Sequence, residues 1–268
     1  QSRHKLRPGD IVEAVPGVVA TQHSGDGKAN QYFLRGFNLD HGTDFAVTVD
    51  GMPVNMPSHG HGQGFADLNF LIPDLVSGVR YRKGPYFADG GDFSLAGSAT
   101  LDYFGVLPAP FAEFTLGANN FRRLLAAGSR TRDDQTWLGA IELEGNDGPW
   151  DVAERLRKFN AVVRFSQGSP VRGFNLTGMA YRNRWNSTDQ VPQRLIDNGE
   201  LSRFGSLNPT DGGSTRRLSL SGKWFDNDPK GQTQAGAYLI DYRFDLFSDF
   251  TYFPVSYTHL TLPTNREV

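Results

Sequence analysis

Residues 11–20 read IVEAVPGVVA, residues 32–38 read YFLRGFN, residues 47–55 read VTVDGMPVN, and residues 72–91 read IPDLVSGVRYRKGPYFADGG. Each stretch joins a short apolar run to turn residues, which are Pro16-Gly17, Arg35-Gly36, Asp50-Gly51 and Lys83-Gly84-Pro85. Glycine allows the positive φ of a tight turn and proline fixes its own φ, so these groups predict turns between short strands. This part of the chain is therefore expected to form a small mixed domain.

The order and spacing of these elements resemble the plug domain of TonB-dependent outer-membrane receptors. Several elements in the right order carry the resemblance, since any one of them alone is a weak signal. It implies that Arg35-Gly36 helps to hold a small plug sheet and that the Asp50-Gly51 turn closes a neighbouring hairpin. We also expect a partly buried Arg35 guanidinium with carboxylate or carbonyl partners. Residues 72–76 predict one helical turn, with Pro73 at its first position, leading into a strand over 79–83.

The sequence changes character near Pro108 and Pro110, where segments with alternating apolar and polar residues begin. Successive strand side chains point to opposite faces, so each segment has one apolar and one charged face. About seven such segments of roughly ten residues are typical of an outer-membrane barrel, in which we expect the apolar faces to point outward. The clearest apolar faces are Trp137, Gly139, Ile141 and Leu143; Phe159, Ala161, Val163 and Phe165; and Tyr238, Ile240, Tyr242, Phe244 and Leu246.

The predicted fold is mainly β, with a small α/β plug domain followed by the N-terminal part of an antiparallel transmembrane β-barrel. The predicted divisions are a plug over 1–107, barrel strands over 108–254, and a foreign, adapter-derived tail over 255–268. Alternation alone fits a soluble β-sandwich equally well, and the plug resemblance decides for the barrel. Because plugged barrels of this family have about 22 strands, we expect the chain to be a truncated receptor.

The composition of the chain argues against several classes of function. The formal net charge is −2 and there is no Cys, which argues against a nucleic-acid binder and excludes disulfides and thiolate metal sites. The mean hydropathy is −0.44 and no apolar run has the length of about 20 residues that a membrane helix needs. Nucleophile elbows, activated cysteines and zinc-protease motifs are missing as well, so an enzyme has no support.

Polar loops rich in histidine separate the plug elements, and four of the six histidines fall between positions 23 and 61. His59 and His61 project to one side of an extended backbone, where Asp40, His41 and Asp44 could approach them. Imidazole and carboxylate together suit zinc, copper, iron or nickel, so these five residues are the candidate ligand site and His59 and His61 the candidate metal ligands. The alternative is that the loops are solvated and bind nothing.

The resemblance implies a receptor of the bacterial outer membrane that takes up a scarce ligand: a siderophore, a metal chelate, cobalamin or an oligosaccharide. It also implies contact with outer-membrane lipid and with an inner-membrane protein of the TonB type. That protein would act through an N-terminal box preceding Gln1. No resident cofactor is expected, although a metal or metal chelate could be the transported ligand. The alternative function is a surface adhesion or binding module made of β-sheet, without transport.

Overall fold

A computed structural model describes residues 7–22, 25–169, 171–229 and 231–249. The strands form two small sheets, which belong to the plug, and one large antiparallel sheet, which we call the wall. His23, Ser24 and the predicted foreign tail over 255–268 lie outside the described residues. No helix among the described residues is long and apolar enough to cross a membrane.

The plug contains a three-stranded sheet made of β1 (Val18–Thr21), β2 (Gln31–Leu34) and β3 (Phe37–Asn38), in that order. A four-stranded sheet is made of β4 (Phe45–Val49), β5 (Met52–Pro53), β6 (Val76–Lys83) and β7 (Gly97–Tyr103), in the order β5-β4-β7-β6. In the second sheet β4 and β7 are parallel, while the other pairs are antiparallel. The helical parts of the plug are short 3₁₀ helices at Pro8–Ala14, Pro73–Leu75 and Ala88–Gly90.

The turn residues of the sequence motifs lie between these elements. Asp50 and Gly51 join β4 to β5 with φ of 50° and 86°, and Arg35 and Gly36 join β2 to β3 with φ of 53° and 81°. Two successive positive φ values define the hairpin turn that matches the twist of the flanking strands. Pro16-Gly17 precedes β1, Lys83 ends β6, and Gly84 donates its N–H to the carbonyl of Ala96.

The expectation that the Arg35 guanidinium is partly buried is wrong. Its side chain is exposed, and none of the ion pairs found among the described residues includes it. The residue instead contributes through its main chain, because its N–H donates to the carbonyl of Gly17 at 2.8 Å. In contrast, the predicted helical turn with Pro73 at its first position is present and leads directly into β6.

The wall has seven antiparallel strands, each paired with its neighbours in the sequence. Among the described residues, the first and last strands of this sheet each pair on one side only, as expected for an incomplete barrel. The strands are β8 (Phe111–Leu116), β9 (Arg122–Arg132), β10 (Gln135–Asn146), β11 (Leu156–Gly168), β12 (Arg172–Asn186), β13 (Gly212–Asp228) and β14 (Gly231–Phe247).

Connections between the wall strands differ in length at the two ends of the sheet. Residues 133–134, 169–171 and 229–230 join strands at one end, which we call the turn end. Residues 117–121, 147–155 and 187–211 join them at the other end, which we call the loop end and which includes a short helix, α1 (Gln193–Asp197). Outer-membrane barrels have this asymmetry, with short periplasmic turns and longer external loops.

The two faces of the wall follow the predicted alternation over most strands. Ile141 and Val163 point outward and are 43% and 53% exposed, whereas Glu142 and Asn160 point inward and are buried against the plug. The hydrophobic core runs across this contact, because buried plug residues such as Leu71 and Leu101 belong to the same cluster as Leu125, Leu138 and Val162 of the wall.

The predicted face of the last strand is wrong. Tyr242, Phe244 and Leu246 of β14 are buried on the plug side, and Arg243 and Asp245 point outward. Alternation identifies two faces of a strand but not which of them faces lipid. The plug presents aromatic side chains to this part of the wall, so the apolar face of β14 packs inward.

Candidate functional site

The two histidine-containing loops of the plug meet in one cluster around Phe65. The ring of His59 stacks on Phe65 with a centroid distance of 4.1 Å and an interplanar angle of 5°. The rings of His41 and His61 lie 4.8 Å apart, and both are within 5.6 Å of the Phe65 ring. We call His41, His59, His61 and Phe65 the apex cluster.

Hydrogen bonds fix the orientation of two of these imidazoles. Nδ1 of His41 lies 3.0 Å from the carbonyl oxygen of Asn30, so Nδ1 is the donor and carries the proton of the neutral ring. Nδ1 of His59 accepts from the main-chain N–H of His61 at 3.1 Å, which leaves the proton of a neutral His59 on Nε2. The backbone turns between His59 and His61 rather than running extended, since Gly62 donates its N–H to the carbonyl of His59.

Burial keeps the His59 imidazole uncharged at neutral pH. Desolvation lowers the pKa of His59 to about 4, and the neighbouring His41 acts in the same direction. A neutral imidazole is the form that binds transition metals. In this geometry the Nδ1 lone pair of His59 is occupied by the His61 N–H, so the ring would bind a metal ion only after that hydrogen bond breaks.

The two predicted aspartates have different positions. Asp40 adjoins the cluster: its Oδ1 lies 3.7 Å from Nε2 of His41, and its side chain is 57% exposed. Asp44 immediately precedes β4, and its main-chain carbonyl accepts the N–H of Ala96. Among the described residues, its carboxylate makes no contact with the three imidazoles that could be identified. Over the described ranges, no three His, Asp or Glu side chains converge as they would around a metal ion.

Wall residues complete the cluster from the side of β12 and β14. Phe244 lies 5.6 Å from both His59 and Phe65, and Tyr242 lies 5.9 Å from His59. Trp185 stacks on Phe244 at 6.3 Å. These contacts could not be predicted from the sequence, because residues far apart in the chain form them. The alternation had suggested that Tyr242 and Phe244 face outward.

A second plug loop contacts the loop end of the wall. Asp26 accepts a hydrogen bond from the side-chain amide of Asn146 at 2.9 Å, and Gly25 donates its N–H to Ser187. A Cβ at Gly27 would lie 2.0 Å from the Trp185 ring, so only glycine fits there. This close approach fixes one edge of the apex against β12.

Below the apex, charged side chains join the plug to the inner face of the wall. Arg123 donates to Glu142 at 2.7 Å and to Asp74 of the plug at 2.5 Å. Glu142 also accepts from Asn160 at 2.9 Å and lies 3.4 Å from Nζ of Lys158. A buried carboxylate needs such partners, because an unpaired charge in the interior is costly.

Further toward β13, Arg217 of the wall is almost completely buried beside the plug. Its guanidinium lies over the Phe70 ring, 4.3 Å from the ring centre. This is a cation–π contact, in which the positive charge is attracted to the face of the ring. Asp67 of the plug accepts from the hydroxyl of Tyr242 at 3.3 Å. Burial raises the pKa of Asp67 to about 6, against the opposing effects of the Asn69 main-chain N–H and of Arg217.

Comparison with known proteins finds a family match for the plug and a similarity of fold for most of the chain. Residues 1–98 match the TonB-dependent Receptor Plug Domain. The fold of the chain is similar to the ferric citrate transporter FecA, with a TM-score of 0.70, 15% identity, and coverage of 90% of this chain and 38% of that one. For the copper transporter OprC the TM-score is 0.67, the identity 14%, and the coverage 96% and 37%.

A third structure is the FrpB iron transporter from Neisseria meningitidis, with a TM-score of 0.63 and 16% identity. The match covers 90% of this chain and 39% of that protein. The chain thus spans less than two fifths of the length of each of these structures, and at such low identity the similarity concerns the fold.

Proposed function

We propose that this chain, which carries the plug domain of the TonB-dependent receptors followed by part of their barrel wall, belongs to a receptor for energy-coupled uptake across the bacterial outer membrane. In this proposal the plug blocks a lumen that is too wide for side chains to fill. An inner-membrane protein of the TonB type would displace the plug when a ligand is bound. The remaining barrel strands would come from the rest of the receptor.

The position of the plug carries the proposal. Its buried side chains pack on the inward face of the wall, and its polar groups pair with wall residues through Asp74–Arg123 and Asp50–Arg164. An adhesion module would have no use for a separate domain held against the inner face of an open sheet. A transporter needs such a domain, and must be able to release it.

We propose the apex cluster as part of the ligand site, and a metal or a metal chelate as the ligand class. The imidazoles of His41, His59 and His61 lie together where the two plug loops meet. The names of structurally similar proteins include a copper transporter, a ferric citrate transporter and an iron transporter. The described residues alone do not form a metal-binding group, so further ligands would come from the substrate itself or from other loops.

Uptake by the full-length protein tests this function. The receptor is produced in a host that lacks its own iron and copper receptors, and accumulation of labelled ferric citrate, a ferric catecholate, copper and zinc is measured. We expect accumulation of one of them, and we expect a proton uncoupler to abolish accumulation but not surface binding. Binding of every probe without energy-dependent accumulation would support the adhesion or binding module instead.

A further inference from the structure

The outward face of the wall carries a group of arginines at its loop end. Arg157 of β11 pairs in register with Arg184 of β12, and Arg182 lies two residues before Arg184 on the same face. All three side chains are exposed. Together with Arg155 they line a surface concavity of about 650 Å³. We call Arg155, Arg157, Arg182 and Arg184 the arginine site.

No ion pair within the described residues explains why these arginines lie together. Like charges on directly opposite residues of a sheet are destabilising. Nowhere in the described ranges does an ion pair engage Arg157, Arg182 or Arg184, although Asp211 and Asp245 line the same concavity. Asp245 instead lies beside Ser214, at 3.3 Å from its hydroxyl. The side chains are therefore positioned to bind an anion from outside the protein.

A second concavity, of about 550 Å³, connects the arginine site to the apolar band of the wall. It shares Arg182 with the arginine site and is lined by Phe159, Ala180 and Leu218. Small residues continue this surface along the outward face, because Ala161 pairs with Ala180 and Val163 pairs with Gly178. Ala180 pairs with Leu218 and Gly178 with Leu220, so the small residues form a shallow apolar groove beside these two leucines that leads away from the charged group.

We propose that this face binds a phosphorylated, acylated glycolipid of the outer leaflet, with its phosphate on the arginine site and an acyl chain in the groove. Guanidinium groups bind phosphate oxygens through paired, charge-assisted hydrogen bonds. The position favours a lipid over a free anion, because the charged and apolar surfaces are continuous and lie on the outward face. The proposal rests on the proposed membrane location, in which the loop end is external.

The test measures lipid retention by the purified full-length protein in detergent. Native mass spectrometry follows binding of diphosphoryl lipid A and of the same lipid with both phosphates removed. The test variant is Arg182→Gln with Arg184→Gln. The matched control is Arg130→Gln with Arg132→Gln, which removes two exposed arginines from the turn end. At about 1 kcal/mol for each arginine near a lipid headgroup, the test variant should bind diphosphoryl lipid A about 30-fold more weakly.

We expect wild type and the control to bind diphosphoryl lipid A equally. Removing the phosphates from the lipid should weaken its binding to wild type about as much as the test variant weakens binding of diphosphoryl lipid A. The proposal would be overturned if wild type bound the two lipids equally, or if the test variant bound diphosphoryl lipid A as tightly as wild type. Displacement of the lipid by millimolar inorganic phosphate would also overturn it. Outer-membrane insertion and ligand uptake are measured separately on the same variants. A failure of uptake in wild type would thus count against the transport function and not against the lipid site.

Discussion

Arg164 of the wall and Asp50 of the plug form a largely buried ion pair, with 2.5 Å between Nη1 and Oδ2. Asp50 also accepts the main-chain N–H of Tyr103 through its other oxygen, at 3.2 Å. Burial raises the pKa of Asp50, while Arg164 opposes that rise. One residue thus closes the β4–β5 turn, holds the end of β7 and fastens the plug to the wall.

Removing one partner of this pair should destabilise the plug strongly. Asp50→Asn keeps a residue that tolerates positive φ but leaves Arg164 buried without its counter-charge, at a cost of about 3 to 5 kcal/mol. Combining it with Arg164→Gln should cost less than the sum of the two single changes. Denaturant unfolding of the refolded full-length protein measures all three, and strict additivity would show that the pair does not couple plug and wall.

Glu142 should be the most sensitive carboxylate on the inner face of the wall. Glu142→Gln removes the carboxylate that Arg123 and Lys158 share, while Asp74 and Glu144 remain as their second partners. We therefore expect a loss of about 1.5 to 3 kcal/mol in unfolding free energy. Glu113→Gln is the matched control, because Glu113 contacts the same Arg123 at 3.6 Å but is 37% exposed. We expect the control to cost about 1 kcal/mol or less. Similar losses in the two variants would contradict a buried network centred on Glu142.

The sequence was sufficient for the local features of this fold and insufficient for its long-range contacts. Turn chemistry located Asp50 and Gly51, and alternation separated Ile141 from Glu142, because both signals depend on neighbours in the chain. The pairing of Asp50 with Arg164 could not be predicted, since the two residues are 114 positions apart and nothing local specifies the partner.

The candidate site shows the same limit. The histidine spacing identified His59 and His61 as candidates, and the structure places them in one cluster with His41. Phe65 and Phe244 were missed, because a buried aromatic residue near a polar loop has no distinctive pattern. The face of β14 was wrong for a related reason: the burial of Phe244 depends on the plug, which lies far away in the sequence.

Outward residues of the wall should tolerate charge only near its ends. Ile141→Arg places a cation in the apolar band and should cost about 2 to 4 kcal/mol, whereas Gln135→Arg, on the same face next to the turn end, should cost about 0 to 1 kcal/mol. Unfolding after refolding into lipid vesicles measures both. Equal costs would remove the assignment of this face to lipid.

Asn160 lies on the polar inner face of the wall but should not tolerate arginine. The side chain is completely buried, and its amide lies within 3.4 Å of the carbonyls of Asn69 and Leu71. Arginine would have to displace the plug main chain. We therefore expect Asn160→Arg to prevent normal docking of the plug, seen as increased protease cleavage within residues 66–75.

The apex cluster yields a prediction for ligand binding. His59→Ala combined with His61→Ala should lower affinity for the transported metal or chelate at least tenfold, because two of three neighbouring imidazoles are removed. The plug should remain folded, since Phe65 still packs against Phe244. Gln63→Ala, an exposed change in the same loop, is the control. Unchanged affinity in titrations with zinc, copper, nickel and ferric chelates would return these loops to the solvated alternative.

Glu154 should make the loop over 147–155 sensitive to pH. Burial, aided by the Asp26 carboxylate, raises the pKa of Glu154 to about 7 from its ordinary 4.5. Between these values the folded protein holds a proton that the unfolded chain releases. The contribution of this group to stability is therefore present below pH 4.5 and is lost as the pH rises to 7.

Glu154→Gln should remove this loss. The glutamine can still accept the hydrogen bond that Trp150 donates at 3.0 Å, and it cannot ionise beside Asp26. We expect hydrogen exchange in the loop to slow at pH 8 relative to wild type, after correction for the intrinsic exchange rate, and to be unchanged at pH 5. Asp133→Asn, at the opposite end of the wall and 88% exposed, is the control. Slower exchange at both pH values would mean that packing, rather than the charge of Glu154, limits the stability of this loop.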